Sequence, residues 1–142
     1  MFGPHLMVDA YGCDRAKLED MSLVASILDE LPPAIDMTKI MPPYVFRYSG
    51  EVPEDWGVSG VVLIAESHIS IHTFPDKGYL SFDMFSCRDF DVDYAVEYIT
   101  REFGATHYEK QLVSRGREFP RSVGRAVRIA TEERERLPIP AT

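Results

Sequence analysis

A hydroxyl, two imidazoles and a thiol follow one another over a short stretch of the sequence, at Ser67, His68, His72 and Cys87. A serine hydroxyl beside a restricted peptide bond can attack the preceding carbonyl, here that of Glu66, if strain and hydrogen-bond donors offset the unfavourable ester. An imidazole can open this ester by β-elimination, and the dehydroalanine that remains hydrolyses to a pyruvoyl group. Such a ketone takes up a substrate amine as a Schiff base and draws in electrons as a carboxylate leaves. These residue types therefore suit self-cleavage followed by decarboxylation.

A predicted β-hairpin decides which of these side chains meet. The four-residue sequence Pro-Asp-Lys-Gly is a strong turn signal, and polar and apolar residues alternate on both sides of it. If Phe74 pairs with Tyr79 across this turn, Ser67 lies opposite Ser86. The next residue, Cys87, is then an immediate neighbour of Ser67. The hairpin thus predicts a proton-donating thiol beside the chain end that cleavage would create, with an imidazole further down the same arm.

Taken one at a time, the same residues have simpler explanations. Ser67 is most easily explained as a polar turn residue, and Cys87 as a small buried hydrophobe. His68 and His72 are more often surface-facing strand residues, and four positions along a strand separate them by roughly 13 Å, so they are not expected to share a metal ion. The Gly-x-Ser-x-Gly elbow of serine hydrolases is absent around Ser67. We therefore predict no metal site, and the residues alone leave the function open.

The surrounding pattern predicts strands and two helices. A first helix begins at Asp20 or Ser22 and stops at Pro32-Pro33, and a second is capped by Asp91 and ends at Gly104. Strands are predicted at 5–11, 45–48, 61–65, 69–74, 79–85 and 106–113, of which 61–65 is wholly apolar and expected to be buried. Because hairpins dominate the middle, we expect an α+β fold with an antiparallel sheet and helices packed on one face.

Two segments lack such a pattern. Residues 49–57 form an acidic loop whose one large side chain is Trp56. The end of the chain is predicted to be a partly ordered tail rich in arginine, with Arg115, Arg117, Arg121, Arg125 and Arg128.

Length and charge limit the function classes. The 142 residues, 45% of them hydrophobic, suit one compact domain spanning 1–142. A net charge of -8 argues against a nucleic-acid partner and favours a small cationic substrate. The two cysteines, Cys13 and Cys87, have no disulfide or zinc spacing. There is no signal-peptide pattern at the start and no long apolar run, so we expect a soluble cytoplasmic protein without a membrane partner.

One long stretch resembles the bacterial and archaeal S-adenosylmethionine decarboxylase family. It runs from Gly57 to Pro75 as GVSGVVLIAESHISIHTFP and continues through Gly78-Tyr79 to Asp83, Phe85 and Cys87. The start of the chain is similar as well, with His5-Leu6, Tyr11 and Cys13-Asp14. The resemblance covers roughly residues 5–117.

The resemblance implies roles for individual residues. The chain would cleave itself between Glu66 and Ser67 into residues 1–66 and 67–142, and Ser67 would become the covalent pyruvoyl cofactor. Ser59 and His72 would assist this processing, and Cys87 would donate a proton to the decarboxylated intermediate. The family further implies a two-layer α/β sandwich, a homodimer with active sites at or near its interface, and a product that supplies spermidine and polyamine biosynthesis.

Two departures from the family bear on substrate recognition. Pro53 stands where relatives usually carry a phenylalanine that resembles an adenine-stacking residue, so Phe46 or Trp56 is expected to take over the stacking through its aromatic face. Asp76 replaces a glutamate that resembles a ribose ligand, and its reach is one methylene shorter.

Other functions in the same family remain open. Related pyruvoyl enzymes decarboxylate ornithine or arginine, and the acidic loop residues Glu51, Glu54 and Asp55 would favour such cationic side chains. S-adenosylmethionine is the first expectation. A further alternative is a non-catalytic relative that keeps the fold, is not cleaved and serves as a binding or regulatory subunit of an active paralogue.

Overall fold

The structure is a computed structural model that describes residues 1–120 and 132. This part of the chain contains one antiparallel sheet, whose strands in chain order are β1 (Gly3–Tyr11), β2 (Tyr44–Tyr48), β3 (Gly57–Ile64), β4 (Ser67–Phe74), β5 (Tyr79–Ser86) and β6 (His107–Arg115). The spatial order is β2-β3-β4-β5-β1-β6. The helices are α1 (Arg15–Leu18), α2 (Met21–Ala34) and α3 (Val92–Glu102). The predicted α+β fold is confirmed.

One face of the sheet carries the core. Side chains alternate across each strand, so that Leu6, Val8 and Ala10 of β1 are buried while the residues between them are partly exposed. The buried side chains of α2 and α3 complete the same core cluster. Within the described residues no helix covers the opposite face of the sheet, which we call the open face. The helices thus lie on one side, as in a two-layer sandwich.

Side-chain caps set where the two longer helices begin. The Asp20 carboxylate accepts a hydrogen bond from the Leu23 amide at 3.1 Å, and the Asp91 carboxylate accepts one from the Tyr94 amide at 3.0 Å. Both predicted starts are therefore confirmed. Gly104, with φ of +63°, follows α3 in the left-handed conformation that its lack of a Cβ permits.

The predicted stop of the first helix was wrong by a few residues. Pro32 and Pro33 lie inside the last turn of α2, which ends at Ala34. Proline fixes φ at a helical value, but it lacks the N–H that would bond to residue i−4 and its ring crowds that carbonyl, so the two prolines weaken the last turn and the helix ends directly after them. The chain then reverses at Asp36, whose φ is +59°. The short helix α1, capped by Asp14, was not predicted.

The wholly apolar run of β3 is not buried throughout. Val62 and Ile64 point into the core, whereas Leu63 lies on the open face with 42% of its surface exposed. The prediction of a buried strand is thus correct for alternate residues only.

Two remaining predictions concern membrane-spanning segments and the arginine-rich end of the chain. Among residues 1–120 and 132, no helix combines the length and the apolar character needed to cross a membrane. Of the predicted arginine-rich tail, Arg115 belongs to β6, whereas Arg121, Arg125 and Arg128 lie outside the described residues.

Candidate active site

The Glu66–Ser67 peptide bond lies at a tight turn between β3 and β4. Ala65 and Glu66 form the two-residue connection, and Ser67 opens β4 with φ of +156°, a positive value that residues other than glycine seldom adopt. The Glu66 side chain is only 6% exposed, and the Thr38 amide donates to both of its carboxylate oxygens at 3.3 Å. The segment after α2 therefore anchors the residue before the bond, while local backbone strain falls on the residue after it.

The carbonyl of this same peptide bond has a specific donor. The Cys87 amide donates to the Glu66 carbonyl oxygen at 2.9 Å. The hairpin register places Cys87 there, since Phe74 pairs with Tyr79 and Ser67 with Ser86, as the sequence predicted. A backbone N–H aimed at a carbonyl oxygen polarises that carbonyl and stabilises negative charge that develops on it during nucleophilic attack.

The Ser67 hydroxyl contacts the neighbouring imidazole. Its Oγ lies 3.0 Å from Nδ1 of His68, which is half-buried. Burial lowers the pKa of His68 from its usual value, the neighbouring His5 and Arg115 lower it further, and the Asp83 carboxylate opposes this shift. The lowered pKa favours the neutral imidazole, and in the tautomer that carries its proton on Nε2 the Nδ1 atom accepts a hydrogen bond from the Ser67 hydroxyl. Sequence reasoning missed His68 as a partner of Ser67, because alternation along a regular strand sends successive side chains to opposite faces.

The predicted processing pair lies elsewhere on the same sheet. Ser59 and His72 are directly paired across β3 and β4, with 2.9 Å between Ser59 Oγ and His72 Nδ1, and His72 is exposed. Five strand positions separate His72 from Ser67, which corresponds to about 16 Å at the usual rise per residue. Within one chain the pair therefore stays well away from the Glu66–Ser67 bond.

The predicted substrate-binding residues lie at the same end of the sheet as this pair. The Trp56 indole donates to the Asp76 carboxylate at 3.0 Å, and the Arg15 guanidinium lies 2.7 Å from the other Asp76 oxygen. The guanidinium carbon of Arg47 lies 4.3 Å from the centre of the Trp56 ring. Phe46 is 45% exposed on β2.

The sequence-predicted residues thus form two groups. We call Glu66, Ser67 and Cys87, together with His68, the cleavage group. We call the second set the distal group: Ser59, His72, Asp76, Trp56 and Phe46. Phe46 pairs with Ser59 across β2 and β3, which ties it to the distal group.

Next to the cleavage group lies an open pocket with room for a ligand. Its volume is about 430 Å³, and Phe2, Gly3, Cys87 and Arg88 are among the residues that line it. Cys87 is half-buried at its wall. The cleavage group therefore borders, through Cys87, a space that is open to solvent.

Comparison with known proteins gives one family. The model of the S-adenosylmethionine decarboxylase family matches residues 4–116. A protein of Pyrococcus horikoshii described as an S-adenosylmethionine decarboxylase proenzyme is 38% identical over 117 residues, covering 82% of this chain and 80% of that protein. A protein of Prochlorococcus marinus with the same description is 35% identical over 129 residues, covering 90% and 97%.

A solved structure agrees with these matches. The crystal structure of the adenosylmethionine decarboxylase from Aquifex aeolicus superposes with a TM-score of 0.71 at 31% identity, covering 85% of this chain and 96% of that one. The chain therefore has the fold of a decarboxylase. The chain belongs to the S-adenosylmethionine decarboxylase family.

Proposed function

We propose that the chain is a self-cleaving, pyruvoyl-dependent decarboxylase that converts S-adenosylmethionine into its decarboxylated form and carbon dioxide, for use as an aminopropyl donor in polyamine biosynthesis. The observation that carries this proposal is the hydrogen bond from the Cys87 amide to the Glu66 carbonyl, with the Ser67 hydroxyl on the next residue. The relatives support it, because those at 34–38% identity are described as proenzymes, which is the term for a precursor that requires cleavage.

The geometry supports the following cleavage chemistry. Ser67 Oγ attacks the Glu66 carbonyl carbon, and the Cys87 amide stabilises the oxyanion. Breaking the C–N bond leaves an ester between the Glu66 carboxyl group and Ser67. Loss of the Ser67 α-proton eliminates the Glu66 carboxylate, and water then releases ammonia from the new chain end. Residues 1–66 and 67–142 result, and the ketone that begins the second fragment serves as an electron sink for decarboxylation.

Cys87 suits a second role after cleavage. Its backbone N–H is hydrogen-bonded to the Glu66 carbonyl, and the residue lines the 430 Å³ pocket together with Phe2. A thiol held at the new chain end can deliver a proton to the carbon that has lost its carboxylate. We therefore assign Cys87 as the proton donor in turnover.

A complete site needs two copies of the chain. The distal group lies about 16 Å or more from Ser67 in the same protomer, yet both groups belong to one sheet. If two open faces pack around a two-fold axis with their strands running in opposite senses, the distal group of each copy meets the cleavage group of the other. The exposed Leu63 and Phe46 on this face fit such a contact. We infer a homodimer in which Ser59 and His72 act on the Ser67 of the partner.

Contacts at the distal group bear on the substrate. Both oxygens of Asp76 already have partners, in Trp56 and Arg15, and Arg47 covers one face of the Trp56 ring. Asp55 of the acidic loop is paired with Lys77 at 2.5 Å. These positive charges reduce the attraction of this end for an ornithine or arginine side chain. They would oppose the sulfonium of S-adenosylmethionine as well, so the choice among the three candidates rests on the relatives, which are described as S-adenosylmethionine decarboxylase proenzymes.

The cleavage proposal is tested on denaturing gels. Freshly synthesised precursor should convert with time into two fragments, whereas Ser67→Ala, which lacks the attacking hydroxyl, should remain one chain. Ser67→Thr provides the matched control, because it keeps a hydroxyl at the same position. If wild type and Ser67→Ala both stay intact, the non-catalytic alternative is correct.

The substrate is tested separately on the processed protein. Carbon dioxide release is measured with S-adenosylmethionine, ornithine and arginine, each supplied alone. We expect release from S-adenosylmethionine. If carbon dioxide is released only from ornithine or arginine, the substrate assignment is wrong, while the proposed cleavage chemistry is unaffected.

The two-copy site is tested by complementation. When Ser67→Ala and His72→Ala chains are expressed together in equal amounts, a mixed dimer contains one complete site, so about half of the His72→Ala chains should be cleaved under random pairing. Neither variant should cleave when expressed alone. As a control, wild type is expressed together with the double variant Ser67→Ala/His72→Ala. If the two single variants give no cleavage when expressed together, and every wild-type chain is cleaved in the control, each site is built within a single chain.

A further inference from the structure

The imidazole that contacts the Ser67 hydroxyl is not the one that the family resemblance assigns to processing. His68 Nδ1 lies 3.0 Å from Ser67 Oγ, whereas His72 is bonded to Ser59 at the other end of the strand. We propose that His68 is the base that removes the Ser67 hydroxyl proton when the ester forms. This inference rests on the proposed self-cleavage and assigns a residue to its first step.

The environment of His68 keeps its ring in place. Phe85 lies directly across from it on β5, with 5.9 Å between the ring centres in an edge-on arrangement. Phe85 is held in turn by His5, at 5.4 Å between ring centres, and by the Arg115 guanidinium, at 4.1 Å from its ring. An imidazole packed in this way can hold a fixed orientation toward the neighbouring hydroxyl.

The charges around His68 favour a neutral ring. His5 on β1 and Arg115 on β6 lower its pKa, and Asp83 on β5 is the group that raises it. The Asp83 carboxylate also lies 3.0 Å from Nε2 of His5, and is thereby shared with a second imidazole. On the β3 side, His68 pairs with Leu63, which carries no charge. With its pKa below the usual value, His68 is unprotonated at pH 7 and ready to accept a proton.

Ester formation requires no net gain or loss of protons, because one proton moves to His68 and is then returned. The proton moves from Ser67 Oγ to His68 Nδ1 as the bond from Oγ to the Glu66 carbonyl carbon forms, and the Cys87 amide stabilises the oxyanion. When the C–N bond breaks, the Ser67 nitrogen requires a proton, and the imidazolium returns the one that it took. No oxidant, metal ion or additional reactant is needed.

The experiment measures ester formation separately from the later elimination. Precursor chains from cell-free synthesis are incubated with hydroxylamine, which cleaves an ester and leaves a hydroxamate on Glu66, at concentrations where the rate no longer depends on hydroxylamine. The variants are His68→Asn, whose amide oxygen can still accept a hydrogen bond but does not take up a proton near neutral pH, and His68→Ala. His107→Ala is the matched control, because His107 Nδ1 lies 3.0 Å from the hydroxyl of its own neighbour, Thr106, on a different strand.

We expect the wild-type rate to rise as the pH increases through the lowered pKa of His68 and then to level off. His68→Asn should be slower by about 10²-fold and lose this rise, and His107→Ala should behave as wild type. Circular dichroism of the same samples checks that each variant is folded. An unchanged rate and pH profile in His68→Asn would overturn this inference alone, whereas a wild-type chain that forms no ester would overturn the proposed function as well.

Discussion

A buried threonine hydroxyl connects the distal group to the rest of the fold. Thr73 is 3% exposed, and its Oγ1 donates to the Leu18 carbonyl at 2.7 Å and accepts from the Val58 amide at 3.0 Å. One hydroxyl therefore joins α1, β3 and β4 next to His72. Thr73→Val replaces this hydroxyl with a methyl group of similar size. Two buried backbone groups then lose their partner at about 1–3 kcal/mol each, so the free energy of unfolding should fall by about 2–6 kcal/mol.

Thr73→Ser provides the control, because it keeps the hydroxyl and loses only a methyl group, at a cost of about 1 kcal/mol. Both variants are made with Ser67→Ala, so that the chain stays in one piece during unfolding. Urea unfolding is followed by the fluorescence of the single tryptophan, Trp56, and by circular dichroism at one protein concentration. If Thr73→Val is as stable as Thr73→Ser, the hydrogen-bond accounting at this position is refuted.

Three further predictions concern the cleavage group and the cysteines. Cys87→Ala keeps the backbone N–H and should still be cleaved, but decarboxylation should fall by about 10²-fold, and wild-type turnover would remove the assignment of Cys87. Gly3→Ala would place a Cβ 1.8 Å from the Ser86 carbonyl oxygen and 2.8 Å from the Cys87 Cα. Because this displaces the Cys87 amide from the Glu66 carbonyl, cleavage followed on gels should slow by at least about tenfold. An unchanged cleavage rate would count against the role of this amide. Burial raises the pKa of Cys13 to about 11, so iodoacetamide at pH 8 should label Cys87 before Cys13 in peptide maps, and the opposite order would contradict this.

The hairpin that positions Cys87 could be predicted to the residue. Its turn, from Pro75 to Gly78, combines a fixed proline φ with a glycine at φ of +60°, and alternation on both arms leaves one register that buries the apolar side. The register in turn places Ser67 opposite Ser86. Strong turn chemistry and a half-buried sheet together explain why local sequence was sufficient here.

The contacts that hold the Glu66–Ser67 bond could not be predicted in this way. The turn at Ala65 and Glu66 contains neither glycine nor asparagine, so it carries no hairpin signal, and the unusual φ falls on Ser67 instead. The Thr38 amide that holds the Glu66 carboxylate comes from a segment 28 positions away. Such contacts depend on how α2 leads into the sheet, which periodicity does not encode.

The split of the site into two groups also needed the structure. The sequence placed His72 further along the same arm as Ser67, but gave no reason to separate their roles. The pairing of Ser59 with His72, together with the contact between Trp56 and Asp76, gathers these residues at one end of the sheet. Their distance from Ser67 is what points to a second copy of the chain.

The central claim is that cleavage of the Glu66–Ser67 peptide bond converts Ser67 into a ketone at the start of a new chain. Intact mass spectrometry of the purified protein tests it most directly. We predict a fragment of residues 67–142 that is about 17 Da lighter than one beginning with serine, because ammonia is lost as the ketone forms. A preparation that releases carbon dioxide from S-adenosylmethionine while every chain keeps the full mass of 142 residues would contradict the account.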